Sequence, residues 1–216
     1  VNEELHNHLA GLDHTNHYGG GMLSPDGKSF YVNIPKNATS FITQWLSENN
    51  WKFPPGGNAV EEVVVVLRDP IERFVSGFCQ YIQGSILYPT FGNIGQPFSI
   101  KELTNYWPMV ERFMANQVVW FDDHTWFQHY YIKDVLPNIP RRYFWLDKTQ
   151  LTIDLKQAYN LNDPSPQVLA DTNVSKGEAI EIQQLIRGSL DNPVILERVK
   201  EILAPDYAII SKALTK

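Results

Sequence analysis

Lys36, Thr39 and Ser40 stand inside the stretch FYVNIPKNATSFITQWL, residues 30–46, where an apolar strand-like run hands over to a helical one. An ammonium and two hydroxyls at such a handover suit an anion. A strand-to-helix loop gathers backbone N–H groups and the positive end of the helix dipole at one spot, and phosphate binds there. Lys36 adds a mobile positive charge, and Thr39 and Ser40 add hydroxyl donors at the first turn. The glycine-rich nucleotide loop reads G-x-x-x-x-G-K-[ST]. This stretch has no glycine, and its lysine precedes the hydroxyls by three residues rather than one. It is therefore a phosphate loop of another kind, or ordinary helix capping by Thr or Ser beside a surface lysine.

A second stretch, LRDPIERFVSGF, follows at residues 67–78. Arg68 ends an apolar β-branched run, and Ser76 lies about two helical turns further on. Ligands of open α/β sheets sit at the carboxyl ends of the strands, so Arg68 is expected at the same edge as Lys36. Its guanidinium fork suits a phosphate. Two such points on neighbouring strands imply a ligand with two separated phosphate groups. Arg73 is expected instead in an ion pair with Asp69 or Glu72.

Together these stretches resemble the sulfotransferases that use 3′-phosphoadenosine-5′-phosphosulfate (PAPS). The family's 5′-phosphosulfate loop is similar to Pro35-Lys36-Asn37-Ala38-Thr39-Ser40-Phe41. Its 3′-phosphate motif, R-D-P-x-x-R-x-x-S, is matched at every defined position by Arg68 to Ser76. The resemblance is closest to the carbohydrate, Golgi-type branch. It covers residues 30–80 firmly and 120–160 loosely. The lack of a membrane anchor and of disulfides departs from the Golgi enzymes, as in a microbial or viral soluble relative.

The resemblance implies transfer of a sulfuryl group from PAPS to an acceptor hydroxyl, on a carbohydrate or another small molecule, with 3′-phosphoadenosine-5′-phosphate as product and no metal. Lys36, Asn37, Ala38, Thr39, Ser40 and Phe41 would hold the phosphosulfate, with Lys36 balancing charge on the leaving oxygen. Arg68 and Ser76 would hold the 3′-phosphate. Lys176, in DTNVSKG, lies in a segment similar to the family's late cofactor loop and would reach a phosphate or the sulfate. The acceptor needs a base, and histidine suits neutral pH. Asp122 to Gln128 is similar to the family's D-x-H-x-x-P-Q stretch, departing at Phe127, and points to His124 as base or acceptor-binding residue, oriented by Asp122 or Asp123. His129 and Glu72 are lesser candidates. Tyr143-Phe144-Trp145 would supply contacts to the adenine, or core packing. Trp107, Trp120, Trp126, Tyr130 and Tyr131 would stack on sugar faces or belong to the core.

The elements that must position these residues can be read from periodicity. Phe30–Ile34 is a strand, and the helix after it begins at Ala38. Val63–Leu67, apolar throughout, is a buried parallel strand. Asp69-Pro70 opens a helix with Ile71, Phe74, Val75, Phe78 and Ile82 on its buried face. Lys101–Phe121 is helical with Pro108 breaking or bending it. Tyr143–Leu146 is a third strand, followed by a helix over Leu151–Leu161. The chain from Glu178 is helical, with breaks near Asn192-Pro193 and Pro205. This βαβα order predicts an α/β fold, and with the resemblance a three-layer P-loop-like fold, a central parallel sheet flanked by helices. A single domain is expected over 1–216, with 1–28 an irregular arm.

Composition narrows the class. The 216 residues are 43% hydrophobic and 19% charged with a net charge of −6, which argues against a nucleic-acid partner. No run reaches membrane-spanning length. The lone Cys79 excludes an intrachain disulfide and fits a reducing compartment. Asn37-Ala38-Thr39 and Asn173-Val174-Ser175 are glycosylation sequons. A glycan on the first would smother the loop, which favours a cytoplasmic protein. His6, His8, His14 and His17 read as part of a polar arm without a completing ligand set, so no metal is expected. A kinase-like P-loop enzyme and a non-catalytic binder of nucleotide or sugar are the competing functions.

Overall fold

The computed structural model describes residues 21–52, 60–83, 99–116, 125, 127–133, 135–170 and 177–214. In chain order the elements are β1 (Met22–Leu23), β2 (Ser29–Tyr31), α1 (Thr39–Glu48), β3 (Glu62–Leu67), α2 (Pro70–Ile82), α3 (Ile100–Asn116), α4 (Gln128–Lys133), β4 (Arg141–Trp145), α5 (Lys148–Tyr159), α6 (Pro166–Ala170), α7 (Glu178–Leu190), α8 (Pro193–Ile202) and α9 (Ala204–Leu214). The fold is α/β. Among the described residues no helix is long and apolar enough to cross a membrane.

The sheet is mixed rather than wholly parallel, with spatial order β1-β2-β3-β4. β2 pairs parallel with β3, Tyr31 opposite Val64, and β3 pairs parallel with β4, from Val63 opposite Arg141 to Leu67 opposite Trp145. β1 runs antiparallel to β2, Met22 opposite Tyr31. The last part of the expected irregular arm is therefore an edge strand. Gly21 makes that edge possible: its φ is +119°, and a Cβ there would lie 1.9 Å from the Tyr31 carbonyl oxygen. The return to β2 is tied by Asp26, whose carboxylate accepts from the Ser24 hydroxyl and the Lys28 N–H. Those two bonds hold the Asp26 carboxyl below its ordinary range.

The chain divides into two compact units, 2–69 with 127–173 and 209–216, and 70–126 with 174–208. The first contains the sheet with α1, α4, α5 and α6. Its core joins Tyr31, Val64, Val66 and Phe144 from the strands to Ile42, Trp45 and Leu46 of α1 and to Leu151 and Leu155 of α5. Fully burying each large apolar side chain contributes about 1.5–3 kcal/mol, so this face supplies most of what anchors α1. The Trp45 indole donates to the Asn162 carbonyl, and Trp51 meets Tyr159 edge to face at 5.3 Å. Asp147 caps α5 by accepting from Thr149 and Gln150 N–H, and Asn160 ends the helix in the left-handed conformation.

The second unit is helical. α2 buries Phe74, Val75, Phe78 and Ile82 of its predicted stripe, with Ile71 only half-buried and Cys79 buried in addition, and packs on α7. The Cys79 thiol donates to the Ala179 carbonyl oxygen of α7. α3 runs as one element through Pro108. The Trp107 indole donates to the buried Ser189 hydroxyl, which donates in turn to Glu111. Asn192 caps α8 with Pro193 at its first turn, so the expected break there is a helix boundary.

Candidate functional site

The loop between β2 and α1 is built from two local constraints. Ile34-Pro35-Lys36-Asn37 is a β-turn closed by the Asn37 N–H on the Ile34 carbonyl, 3.2 Å. Pro35 sets the second residue and Lys36 takes the third with φ 68°, the left-handed position of a type II turn. Ala38 is also left-handed, φ 57°, and is the N-cap of α1. Neither residue is glycine, and each such conformation costs roughly 1–2 kcal/mol. Strain of this kind persists where surrounding contacts over-determine it, and it collects at sites that bind or react.

Helix capping does not explain the loop. Ala38 offers no side-chain cap, and the first turn of α1 holds no acidic residue. The Thr39 hydroxyl donates backwards to the Ile34 carbonyl and so staples the turn. Ser40 is exposed and Thr39 half-buried at the start of α1. The N-cap residue of α1 thus offers no capping side chain and its first turn holds no carboxylate, an arrangement suited to an external anion. Phe41 turns its ring toward Trp45, 5.7 Å between centroids, and packs against the core.

Asn37 and Arg68 tie this loop to the end of β3. Asn37 is 0% exposed. Its Nδ2 donates to the Val66 carbonyl and to Gln128 Oε1, 2.7 Å each. The Arg68 guanidinium donates through Nη1 to the Lys36 carbonyl, 2.7 Å. Gln128, 1% exposed at the start of α4, brackets the Arg68 peptide: Oε1 accepts from Arg68 N–H at 2.9 Å, and Nε2 donates to Arg68 carbonyl oxygen at 2.8 Å. The predicted phosphate residues Lys36 and Arg68 therefore meet at the carboxyl edge of two neighbouring parallel strands.

Compared with known proteins, the chain matches no family model, no curated protein and no solved structure.

The remaining sequence candidates divide by burial. His124, with Asp122 and Asp123, and Lys176 lie outside the described residues, as do Trp120 and Trp126. Ser76 is half-buried on α2, in the helical unit. His129 is half-buried on α4 with its ring 5.7 Å from that of Tyr130. Glu72 is held by both nitrogens of the Arg187 fork and is a poor base; Arg73, expected to pair with Asp69 or Glu72, is buried on α2. The Glu72 carboxylate raises the Arg187 pKa. Trp107, Tyr130 and Tyr131 are buried, which places them in the core rather than on a sugar-stacking surface. In β4 the alternation separates roles: Phe144 is core, whereas Trp145 is 38% exposed opposite Leu67, at the carboxyl edge of the sheet. Gln128 entered the sequence reading only as part of the 122–128 stretch; its two bonds to Arg68 carry no local signal.

Proposed function

We propose that the protein is a PAPS-dependent sulfotransferase that moves a sulfuryl group to an acceptor hydroxyl, on a carbohydrate, and that the α/β fold is of the three-layer P-loop-like kind. The observation that carries this reading is the Arg68 guanidinium seated on the Lys36 carbonyl, at the carboxyl edge of parallel β2 and β3. Two cationic residues from separate strands converge there beside the uncapped start of α1. A ligand with two separated phosphate groups suits that pair.

In this mechanism the loop amides, among them the Thr39 N–H, together with the Ser40 hydroxyl and Lys36 hold the 5′-phosphosulfate, while the Thr39 hydroxyl stays on the Ile34 carbonyl. The acceptor oxygen loses its proton to a base, which the motif assigns to His124, and bonds to sulfur. The bond from sulfur to the 5′-phosphate oxygen breaks, and Lys36 balances the charge left on that oxygen. Arg68 holds the 3′-phosphate, and by the motif alone Ser76 and Lys176 are assigned to the same ligand. Trp145, an exposed aromatic at the sheet's carboxyl edge, offers a face for the adenine.

The test is calorimetric titration with 3′-phosphoadenosine-5′-phosphate, 5′-AMP and ATP with magnesium, using wild type and Arg68→Ala. Preference for the bisphosphate over 5′-AMP, lost in Arg68→Ala, supports the donor site. Preference for ATP with magnesium moves the protein to the kinase-like class. Bisphosphate binding without turnover across a panel of hydroxyl acceptors identifies a non-catalytic binder.

A further inference from the structure

Gln128 contacts both cationic segments, although residues 37, 68 and 128 are far apart in the chain. The ladder of β3 with β4 ends at Leu67, whose carbonyl accepts from Leu146 N–H. The ladder with β2 ends earlier, at the bond from Val32 N–H to the Val64 carbonyl. The Arg68 peptide thus lies one residue past the sheet, where its orientation is not set by strand pairing. The Gln128 amide pairs both its N–H and its carbonyl, as the next residue of a neighbouring strand would. The same Oε1 accepts from Asn37 Nδ2, and so reaches the loop that carries Lys36.

We propose that Gln128 is a positioning residue: it fixes the aim of Arg68 relative to the Lys36 loop, and so sets the spacing at which two phosphate groups of one ligand are recognised. The inference rests on the two-phosphate reading given above. Gln128 acts through Arg68 and Asn37 rather than by touching ligand. Its removal costs the preference for a second phosphate, not affinity for nucleotide as such.

The experiment measures affinities for 3′-phosphoadenosine-5′-phosphate and 5′-AMP in wild type, Gln128→Ala and Gln128→Glu, with melting temperature and far-UV circular dichroism for each. In Gln128→Ala the bisphosphate-to-monophosphate preference is expected to fall by about tenfold, on the order of one misaligned charge-assisted hydrogen bond, with 5′-AMP affinity little changed. Gln128→Glu keeps the acceptor oxygen for Arg68 N–H and Asn37 but loses the donor to the Arg68 carbonyl, so its preference should fall by less. A purely structural role would lower the melting temperature and leave the preference intact, which overturns the proposal. Should Gln128→Ala fail to fold, Gln128→Glu decides: a reduced preference supports the proposal, an unchanged one overturns it. A wild type without preference defeats the two-phosphate reading and this inference with it. A preference in wild type that both folded variants retain defeats this inference alone.

Discussion

Replacing Asn37 by aspartate tests the loop with almost no change of shape. The Asn37 Nδ2 donates to the Val66 carbonyl and Gln128 Oε1 at 2.7 Å each, in a fully buried side chain. Asn37→Ala removes two neutral hydrogen bonds, about 0.5–1.5 kcal/mol each, and strips the Val66 carbonyl of that donor, so about 2–4 kcal/mol is expected. Asn37→Asp is worse at pH 7, because it sets a buried carboxylate oxygen against two acceptor oxygens. Burial and those acceptors raise the folded pKa of the new carboxyl above its unfolded value of about 3.9. The sign follows: the ionisation penalty is absent below about pH 4 and grows by about 1.4 kcal/mol per pH unit up to the folded pKa. Against a typical domain stability of about 5–15 kcal/mol this is severe. Urea unfolding followed by tryptophan fluorescence, from about pH 4.5 to pH 7.5, reads it directly. An Asn37→Asp protein as stable as wild type at pH 7, or one gaining on wild type as pH rises, would refute the hydrogen-bond assignment.

Lys36→Gly should relieve left-handed strain of about 1–2 kcal/mol against roughly 0.5–1 kcal/mol of added chain entropy, so urea unfolding should show a net gain of up to about 1.5 kcal/mol; bisphosphate affinity should nonetheless collapse in calorimetry. Burial raises the Tyr31 phenol well above its ordinary value of 10.0, and the opposing Thr39 hydroxyl, already donating to Ile34, does not cancel the rise. The stability associated with the neutral phenol is therefore complete below about pH 10 and lost as pH rises toward the folded value, and melting curves of Tyr31→Phe should show a shallower alkaline decline than wild type. Ser189→Ala removes the acceptor for the buried Trp107 indole and the donor to Glu111, with an expected cost of about 1–3 kcal/mol. An unchanged melting temperature would show that another group satisfies the indole.

Much of the sheet unit was legible because its signals are strong and local. The Val63–Leu67 run has no polar face and reads only as a covered strand, and Asp69-Pro70 with its apolar stripe reads only as a helix. Lys36 and Arg68 were placed at one edge by the rule for parallel strands, and the Arg68 bond to the Lys36 carbonyl has them together. Other features escaped for physical reasons. β1 is two residues long and depends on a close approach at Gly21 that periodicity does not register. The left-handed Lys36 is hidden because lysine is not a residue expected at that turn position, although Pro35 before it signals the turn. Trp107, Tyr130 and Tyr131 were ambiguous because an aromatic ring serves a core and a sugar platform equally well; burial separates the two. Gln128 was invisible in its role, since an amide that completes a strand ladder from a distant segment leaves no pattern in its own neighbourhood.

The strand order also bears on how the chain is made. Space and sequence agree, β1-β2-β3-β4, so each strand emerging from the ribosome meets an edge already in place. The exception is a long wait: among the described residues, the partner of β3 on its far side is 141–145. Until those are synthesised, a β-branched run from Val63 to Val66 shows an unpaired edge, with low charge and no proline, the profile of a segment that recruits copies of itself. Any product ending between residues 68 and 140 lacks that partner. The arrival of β4 is thus what covers the edge of the most β-prone run in the chain.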